Sequence, residues 1–349
     1  MSGRTKGVFW FVIFGFIVYY AFSLGSFSQT KDKPITEKQD NQQIEPVIKK
    51  KNVMDKPLHA YIGKDAKEIK ETFGTPTRED LSAYDYTWWV YEDNVNHDIQ
   101  IGILNDKVVT IFALGKQLHT YPFEIGQPFD KQVKGIERKK TQDIQTESME
   151  VEMTLTDEEY MNKPLIHLGN AWAQLYRDHY TDELVAVRYS DSETLIKQRA
   201  YNFVYRGEIE KPAALSNEQL KEIEQSNQKQ IFHITNHLRK RYGVSPLAWH
   251  EEAAQTAYTH SEDMATHDYF SHTSPTSGTL AERLTARNIV YQSAGENIAA
   301  KYMDGPAVVI GWLNSESHRQ SLLYPDFTHL GVGVYQEYYT QNFIQNILH

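Results

Sequence analysis

The sequence contains no cysteine in its 349 residues. This absence excludes disulfide bonds, thiolate metal ligands and cysteine nucleophiles. The sequence also lacks an excess of basic residues, since 36 Lys and Arg face 46 Asp and Glu for a net charge of −10. Because phosphate binding needs a basic face, we expect no nucleic-acid partner. The 40% hydrophobic and 12% aromatic residues are typical of folded protein, and the length suffices for two domains.

The N-terminus carries the one long apolar run. Arg4 and Lys6 precede residues 8–24, which are almost uninterruptedly apolar and near the short limit for crossing a bilayer. Basic residues before such a run place its N-terminus inside the cell. We therefore predict that residues 1–25 are a single-pass membrane anchor. The alternative is a cleaved signal peptide, because Ala21-Phe22-Ser23 has small residues, Ala21 and Ser23, at the peptidase spacing. Both interpretations place the rest of the chain outside the cytoplasm.

Residues 26–56 are predicted to be a polar linker. They mix charges of both signs, contain Pro34 and Pro46, and show no apolar periodicity. Such a composition favours a stalk that holds the folded part clear of the membrane.

Residues 57–207 are predicted to form an α+β domain of two helix-plus-hairpin repeats. Each repeat opens with an Ile-Gly pair, at Ile62-Gly63 and Ile125-Gly126, followed by a short amphipathic helix. The four hairpin strands are predicted at 99–104, 108–114, 171–176 and 184–189. The match requires a long insertion around 139–163, and nothing in this domain has the spacing of a catalytic or metal site.

Residues 216–349 are predicted to form a second domain. Ser216 and Gln219 make a capping box for a helix that runs to about residue 242. Further helices are predicted at 250–266, at 280–287 and from Pro306 onward. Strands are predicted at 289–294, 330–335 and 338–344. Helices interleaved with mostly antiparallel strands indicate a sheet between helical layers.

Three polar stretches of this domain could carry chemistry. They are residues 269–275, residues 294–298, where the predicted strand passes into a helix, and residues 312–318 at the end of the Pro306 helix. Binding and catalytic residues often lie at such ends of secondary-structure elements. The stretches contain His272, Glu296, Asn297, Ser315 and His318.

The order of the motifs in this domain resembles the CAP superfamily of cysteine-rich secretory proteins, antigen 5 and pathogenesis-related 1 proteins. The matching motifs are, in chain order, Asn236-His237-Leu238-Arg239, Leu247-Ala248-Trp249, Ser271-His272, Gly295-Glu296-Asn297, Trp312 with Ser315 and His318, Gly331-Val332-Gly333-Val334 and Tyr338-Tyr339-Thr340-Gln341. The resemblance implies an α/β/α sandwich with a central cleft. The preceding domain resembles the CAP-associated N-terminal domain of Bacillus-type secreted proteins.

The resemblance also implies a cleft with two histidines and two acidic residues that can bind a divalent metal. His272 matches the first histidine and Glu296 the glutamate of the Gly-Glu-Asn motif, whereas Ser315 and Tyr338 stand where the other acid and histidine are expected. His318 is expected near the same cleft, so His272, Glu296 and His318 are a candidate three-ligand zinc site. Alternatively, Glu296 orients His272 as a general base, with Ser315 or a water as nucleophile. In a third interpretation Glu296 only accepts hydrogen bonds that fix the loops.

Two functions follow from these alternatives. The first is a non-enzymatic cell-surface protein whose cleft binds an envelope component, a lipid-like ligand or an exported protein. Its cleft residues would be His272, Glu296, Asn297, Ser315, His318 and Tyr338. The second is a metal-dependent or serine-type hydrolase acting on peptides or cell-wall material. Half of the expected metal-binding tetrad is replaced, which favours the binding protein.

Overall fold

The computed structural model describes residues 56–92, 94–208 and 212–347. The predicted anchor at 1–25 and almost all of the predicted linker lie outside the described residues. Within the described ranges, no helix is both long and apolar enough to cross a membrane. Lys51–His349 form one compact unit, which contains both predicted domains.

The N-terminal domain is rich in strands. In chain order its elements are a 3-10 helix at Leu58–Tyr61, α1 (Ala66–Phe73), β1 (Arg78–Leu81), β2 (Thr87–Tyr91), β3 (Ile99–Leu104), β4 (Lys107–Ala113), α2 (Phe129–Val133), β5 (Thr141–Gln145), β6 (Met149–Thr154), α3 (Asp157–Asn162), β7 (Leu165–Leu168), β8 (Ala171–Asp178), β9 (Glu183–Ser190), α4 (Ser192–Gln198) and β10 (Asn202–Gly207). Seven strands form one antiparallel sheet in the order β1-β2-β3-β4-β9-β8-β7. The four predicted hairpin strands correspond to β3, β4, β8 and β9.

One hydrogen bond recurs at the same point of the two predicted repeats, and the repeat itself stays a prediction. The backbone amide of Gly63 donates to the carbonyl of Val108, and the amide of Gly126 donates to the carbonyl of Leu184. Both glycines have positive φ, 80° and 86°, a conformation in which glycine is favoured because it has no Cβ. Each glycine therefore ties the start of a helix to the hairpin that follows it. The ends of the two halves meet where β4 pairs with β9 in the middle of the sheet.

The predicted insertion is structured. Residues 139–163 contain β5, β6 and α3, and β6 also pairs with β10 to give a small sheet of order β10-β6-β5. Val151 and Met153 of this sheet are buried against Trp172 and Leu195. The insertion is therefore an added layer on one end of the main sheet.

The C-terminal domain is an α/β/α sandwich, as predicted. Its elements are α5 (Asn217–Arg241), β11 (Ala248–Trp249), α6 (Glu251–Thr266), α7 (Leu280–Ala286), β12 (Ser293–Ala300), α8 (Gly305–Leu313), α9 (Glu316–Leu322), β13 (His329–Tyr335) and β14 (Tyr338–Gln345). The strands form a sheet in the order β11-β13-β14-β12. Helices α6 and α7 cover one face, and α5, α8 and α9 cover the other. The predicted capping box of Ser216 and Gln219 is present at the start of α5.

Glycine sets the distance between α6 and the sheet. A Cβ at Gly331 would collide with the backbone of α6 at Ala254, and a Cβ at Gly333 would collide with it at Tyr258. The Gly-Val-Gly-Val motif therefore turns its two small residues toward α6, because alternate residues of a strand face opposite sides of a sheet. Val332 and Val334 point the other way into the core beneath α5.

Two predicted boundaries in this domain are wrong. The strand predicted at 289–294 begins only at Ser293 and continues to Ala300, so residues 295–297 lie inside a strand rather than where a strand passes into a helix. Pairing with the whole length of β14 extends this strand beyond the polar motif. The Pro306 helix ends at Leu313, and a separate helix, α9, carries His318. Between the two helices, the Asn314 side chain donates to the carbonyl of Arg177 in β8 and accepts from the backbone amide of His179 just after that strand.

The two domains share one buried core. Trp88 and Phe112 of the large sheet belong to the same apolar cluster as Ile234 of α5 and Val309 of α8. A buried ion pair also crosses the boundary, with 2.8 Å between Arg188 and Asp304. One face of the N-terminal sheet therefore packs against the helices that border the candidate site.

Candidate functional site

Glu296 lies at the centre of the candidate site. It is in the middle of β12, opposite Asn342 in the antiparallel pairing with β14. Its side chain is only 3% exposed. A buried carboxylate is unfavourable unless it is paired and hydrogen-bonded, so its neighbours decide what the site can do.

Three side chains hydrogen-bond to the Glu296 carboxylate, and together they occupy both of its oxygens. Arg283 donates to Oε2 at 2.9 Å and to Oε1 at 3.1 Å. His272 Nδ1 lies 3.0 Å from Oε1. Asn342, in the amide orientation that satisfies both of its ends, donates to Oε2 at 3.1 Å. These partners come from α7, from the loop after α6 and from β14, so the carboxylate holds three parts of the domain together.

The electrostatics favour the ionised carboxylate. Burial alone would raise the pKa of Glu296, but hydrogen bonds from His272 and Arg283 and the charge of Arg283 outweigh it and lower the pKa. His260 lies on the inner face of α6, with its Nε2 4.0 Å from Oε1 of Glu296 and 3.0 Å from the carbonyl of Ser271. Burial lowers the pKa of His260, which favours a neutral ring that donates from Nε2 to that carbonyl.

His318 and Ser315 form a second pair beside this network. The Oγ of Ser315 lies 2.8 Å from Nδ1 of His318. Asn297 donates to the His318 carbonyl at 3.1 Å, which fixes α9 against β12. Burial, and then the charge of His272, lowers the pKa of His318. The charge of His272 thus acts on His318, and His272 is the more exposed of the two rings.

The structure does not bring Tyr338 to Glu296. Tyr338 is the first residue of β14 and pairs with Ala300. It is four residues from Asn342 along the strand, a separation of about 13 Å at the usual rise of about 3.3 Å per residue. Tyr338 therefore lies at one end of the strand pair, whereas Glu296 and Asn297 lie in its middle.

The three-ligand zinc hypothesis finds no matching arrangement in the part of the chain that the structure describes. Within it, no group of three or more His, Asp or Glu side chains is placed to hold a metal ion. The guanidinium of Arg283 already occupies both oxygens of Glu296. A cation bound to the same oxygens would meet the positive charge of that guanidinium at short range.

Sequence reasoning missed three residues of this site, namely Arg283, His260 and Asn342. Arg283 follows an ordinary capping box on a short helix, and His260 resembles any residue on the buried face of a helix. One signal was available, because a glutamate inside a buried strand requires a cationic partner. Which residue serves as that partner depends on the β12–β14 register and on the packing of α7.

A second polar cluster lies between the domains. Asp98 precedes β3, and its Oδ2 is 2.6 Å from Nε2 of His233 and 2.7 Å from Nδ1 of His237, both on α5. Burial is the largest influence on Asp98, but the bonds to the two histidines hold the pKa of this carboxyl well below its usual range. The cluster ties the N-terminal sheet to α5.

Comparison with known families and proteins identifies the class. Residues 62–201 match the CAP-associated N-terminal family, and residues 232–347 match the cysteine-rich secretory protein family. The Uncharacterized membrane protein YlbC of Bacillus subtilis (strain 168) is 44% identical over 288 residues, which are 82% of this chain and 83% of that protein. The chain therefore belongs to the cysteine-rich secretory protein (CAP) family, with a CAP-associated domain before its CAP domain, as the sequence predicted.

Solved structures agree with this assignment. An extracellular protein containing a SCP domain from Bacillus anthracis str. Ames is 40% identical, with a TM-score of 0.80, and the match covers 89% of this chain and all of that one, 100%. A cysteine-rich secretory protein from Staphylococcus aureus subsp. aureus Mu50 has a TM-score of 0.75 at 22% identity, covering 84% of this chain and 94% of that one. At that identity the likeness shows a common fold only.

Proposed function

We propose that this chain is a non-enzymatic binding protein of the cell envelope. In this proposal an N-terminal anchor displays both domains outside the cytoplasm, and the CAP cleft binds an envelope component, a lipid-like ligand or an exported protein. The relative YlbC is named a membrane protein, and the Bacillus anthracis structure is described as extracellular. Those names, together with the predicted anchor at residues 1–25, support the location.

The binding interpretation rests on one observation, namely that both oxygens of the Glu296 carboxylate are already hydrogen-bonded. All of its short contacts are made to Arg283, His272 and Asn342. A general base needs a free lone pair at the reacting proton, and a metal ligand needs an open coordination site. Glu296 has neither, so it is not itself a base or a metal ligand, and no hydroxyl group of a described residue is hydrogen-bonded to the His272 ring that it orients. We therefore assign Glu296 the role of fixing the walls of the cleft.

The side chains left for a ligand lie at the cleft opening. The side chain of His272 is 54% exposed, and its Nε2 is free to bind because Nδ1 faces Glu296. Ser315 and His318 are half-buried beside it. This arrangement offers a few fixed polar groups on rigid elements, which is typical of sites that orient a bound molecule.

One observation favours the hydrolase alternative. Ser315 Oγ and His318 Nδ1 are 2.8 Å apart, a distance suitable for a nucleophile and its base. In the described part of the chain, however, no carboxylate hydrogen-bonds the other nitrogen of His318. Triad-type enzymes use such a group to orient the base.

A matched pair of histidine variants tests the proposal. His272→Ala alters the cleft, and His267→Ala is its control, because each side chain is 54% exposed and bonded to one acid. The chain from Lys51 onward would be mixed with washed cell envelopes from a Bacillus strain, sedimented and quantified. Bound metal and release of soluble peptide or sugar would be measured on the same samples.

We expect wild type and His267→Ala to sediment equally, and His272→Ala to be retained several-fold less. We also expect no stoichiometric metal and no turnover. Turnover by the wild type that disappears in Ser315→Ala would contradict the binding proposal and would favour the hydrolase alternative. Equal retention of all the variants would exclude the cleft as the binding site.

A further inference from the structure

A groove lies between the two domains, separate from the Glu296 network. Its volume is about 840 Å³, within the range of roughly 300–1,000 Å³ that is typical of ligand sites. The β1–β2 turn, α3 and the end of α4 form one wall. The loop before α8, α8 itself and the β13–β14 turn form the other. Neither domain contains the groove by itself.

Tyrosines line the inner surface of this groove. Tyr84 comes from the N-terminal domain and Tyr302 from the CAP domain, while Tyr176 lies in the floor. Burial is the main cause that raises the pKa of each, to about 12 for Tyr176, so all three phenols are neutral. Tyr84 donates to the carbonyl of Met303 at 3.1 Å, which joins the two walls. Flat amphipathic rings of this kind bind extended ligands with little loss of side-chain entropy.

Gly311 shapes the CAP wall. A Cβ at this position of α8 would collide with the phenol of Tyr302. Because glycine stands there, the phenol end of the Tyr302 ring can lie directly against α8. The phenol oxygen of Tyr302 makes no hydrogen bond to another described residue, so it is available to a ligand.

The rim carries unpaired charges of both signs. Arg199 and Lys301 are exposed cations, and Glu158 and Glu337 are exposed anions. None of these four side chains forms an ion pair with another described residue. The two lysines deeper in the groove are already bound, Lys163 to Glu159 and Lys197 to Asp85. The free rim charges therefore come as two positive and two negative groups around an aromatic interior.

We propose that this groove binds a polypeptide segment that carries both acidic and basic side chains. A peptide supplies both charge signs for the rim, amide groups for the phenols and apolar side chains for the tyrosine faces. A neutral glycan or a fatty acyl chain would leave most of the rim charges without complementary partners. This proposal goes beyond cleft binding, because the charged rim residues contact none of the Glu296 partners.

The groove also reaches the cleft at one point. Asn314 and Ser315 form its end, and Ser315 bonds His318. A peptide in the groove would thus run along the domain boundary toward the CAP cleft. Occupation of the two sites can still be separated, because the side chains of Arg199 and Lys301 lie on the groove rim and form no hydrogen bond or ion pair with any of the described cleft residues.

An array of immobilised hexapeptides with randomised sequences tests the proposal on the full-length chain. The variants are Arg199→Glu with Lys301→Glu, which makes the rim uniformly acidic, and Gly311→Val, which forces Tyr302 toward the groove. The control is Lys131→Glu, an exposed charge reversal on α2 outside the groove. His272→Ala reports on the cleft alone. Thermal melting of each variant confirms that it is folded.

We expect wild type, Lys131→Glu and His272→Ala to select peptides that contain both acidic and basic residues. The double charge reversal should weaken binding of those peptides about tenfold and remove the preference for acidic residues. Gly311→Val should weaken binding without altering the charge preference. Selection of neutral peptides, no selection at all, or unchanged selection by the folded double variant would each overturn the proposal. Loss of binding in His272→Ala alone would assign the peptide to the cleft and also overturn it.

Discussion

Replacing Arg283 with methionine should reveal how the candidate site is held together. The side chains of Arg283 and Glu296 are 4% and 3% exposed, and the guanidinium donates to both carboxylate oxygens. Methionine keeps much of the volume but removes the charge, so a buried carboxylate loses its cation. Breaking a buried pair in this way costs about 3–5 kcal/mol of the free energy of unfolding.

The loss of stability caused by Arg283→Met should depend on pH. In the wild type the pKa of folded Glu296 lies below its ordinary 4.5. Its ionisation therefore contributes stability that is present above about pH 4.5 and is lost as the pH falls through the lower folded pKa. In Arg283→Met, burial dominates and raises the pKa of Glu296. The difference in stability between the two proteins should therefore narrow as the pH falls from neutral toward 4.5.

Urea denaturation followed by circular dichroism measures this difference. Arg287→Met is the matched control, because Arg287 lies 3.9 Å from Glu252 in an exposed pair and should cost less than about 1 kcal/mol. Adding Glu296→Gln to Arg283→Met should restore part of the loss, since a neutral amide needs no cation. Equal losses in Arg283→Met and Arg287→Met, or a double variant that loses the sum of the two single effects, would refute the reasoning.

Three further predictions concern packing between layers and domains. Burial holds the pKa of His237 below its ordinary 6.5, although its bond to Asp98 opposes this. The free energy of unfolding should therefore fall as the pH drops below about 6.5. In thermal melts at several pH values, His237→Asn should show a smaller decrease of the melting temperature with falling pH. Gly333→Ala should cost about 1–3 kcal/mol, because the new Cβ meets the backbone of α6, and an unchanged melting temperature would contradict this. Asp304→Asn leaves Arg188 buried without its anion and should cost about 3–5 kcal/mol in urea denaturation, so a loss below about 1 kcal/mol would show that the pair is dispensable.

The sequence by itself determined much of the architecture. Alternating apolar residues and turn residues located β3, β4, β8 and β9, because these patterns are local. The capping box of Ser216 and Gln219 located the start of α5 for the same reason. The dispersed motifs gave the CAP family and its sandwich, since several short matches in a fixed order constrain the fold more than any one of them does. His272 and Glu296 lie 3.0 Å apart, a contact that one of the three interpretations of the sequence requires.

Tertiary structure decided what that pair can do. Arg283, Asn342 and Glu296 come together through the register of β12 on β14 and the packing of α7, and neither leaves a periodic signal in the sequence. The same register separates Tyr338 from the cleft. The groove between the domains likewise depends on how the N-terminal sheet packs against α5 and α8, because its residues come from distant parts of the chain. Local patterns specify elements, whereas contacts between distant residues specify the partners of a buried charge.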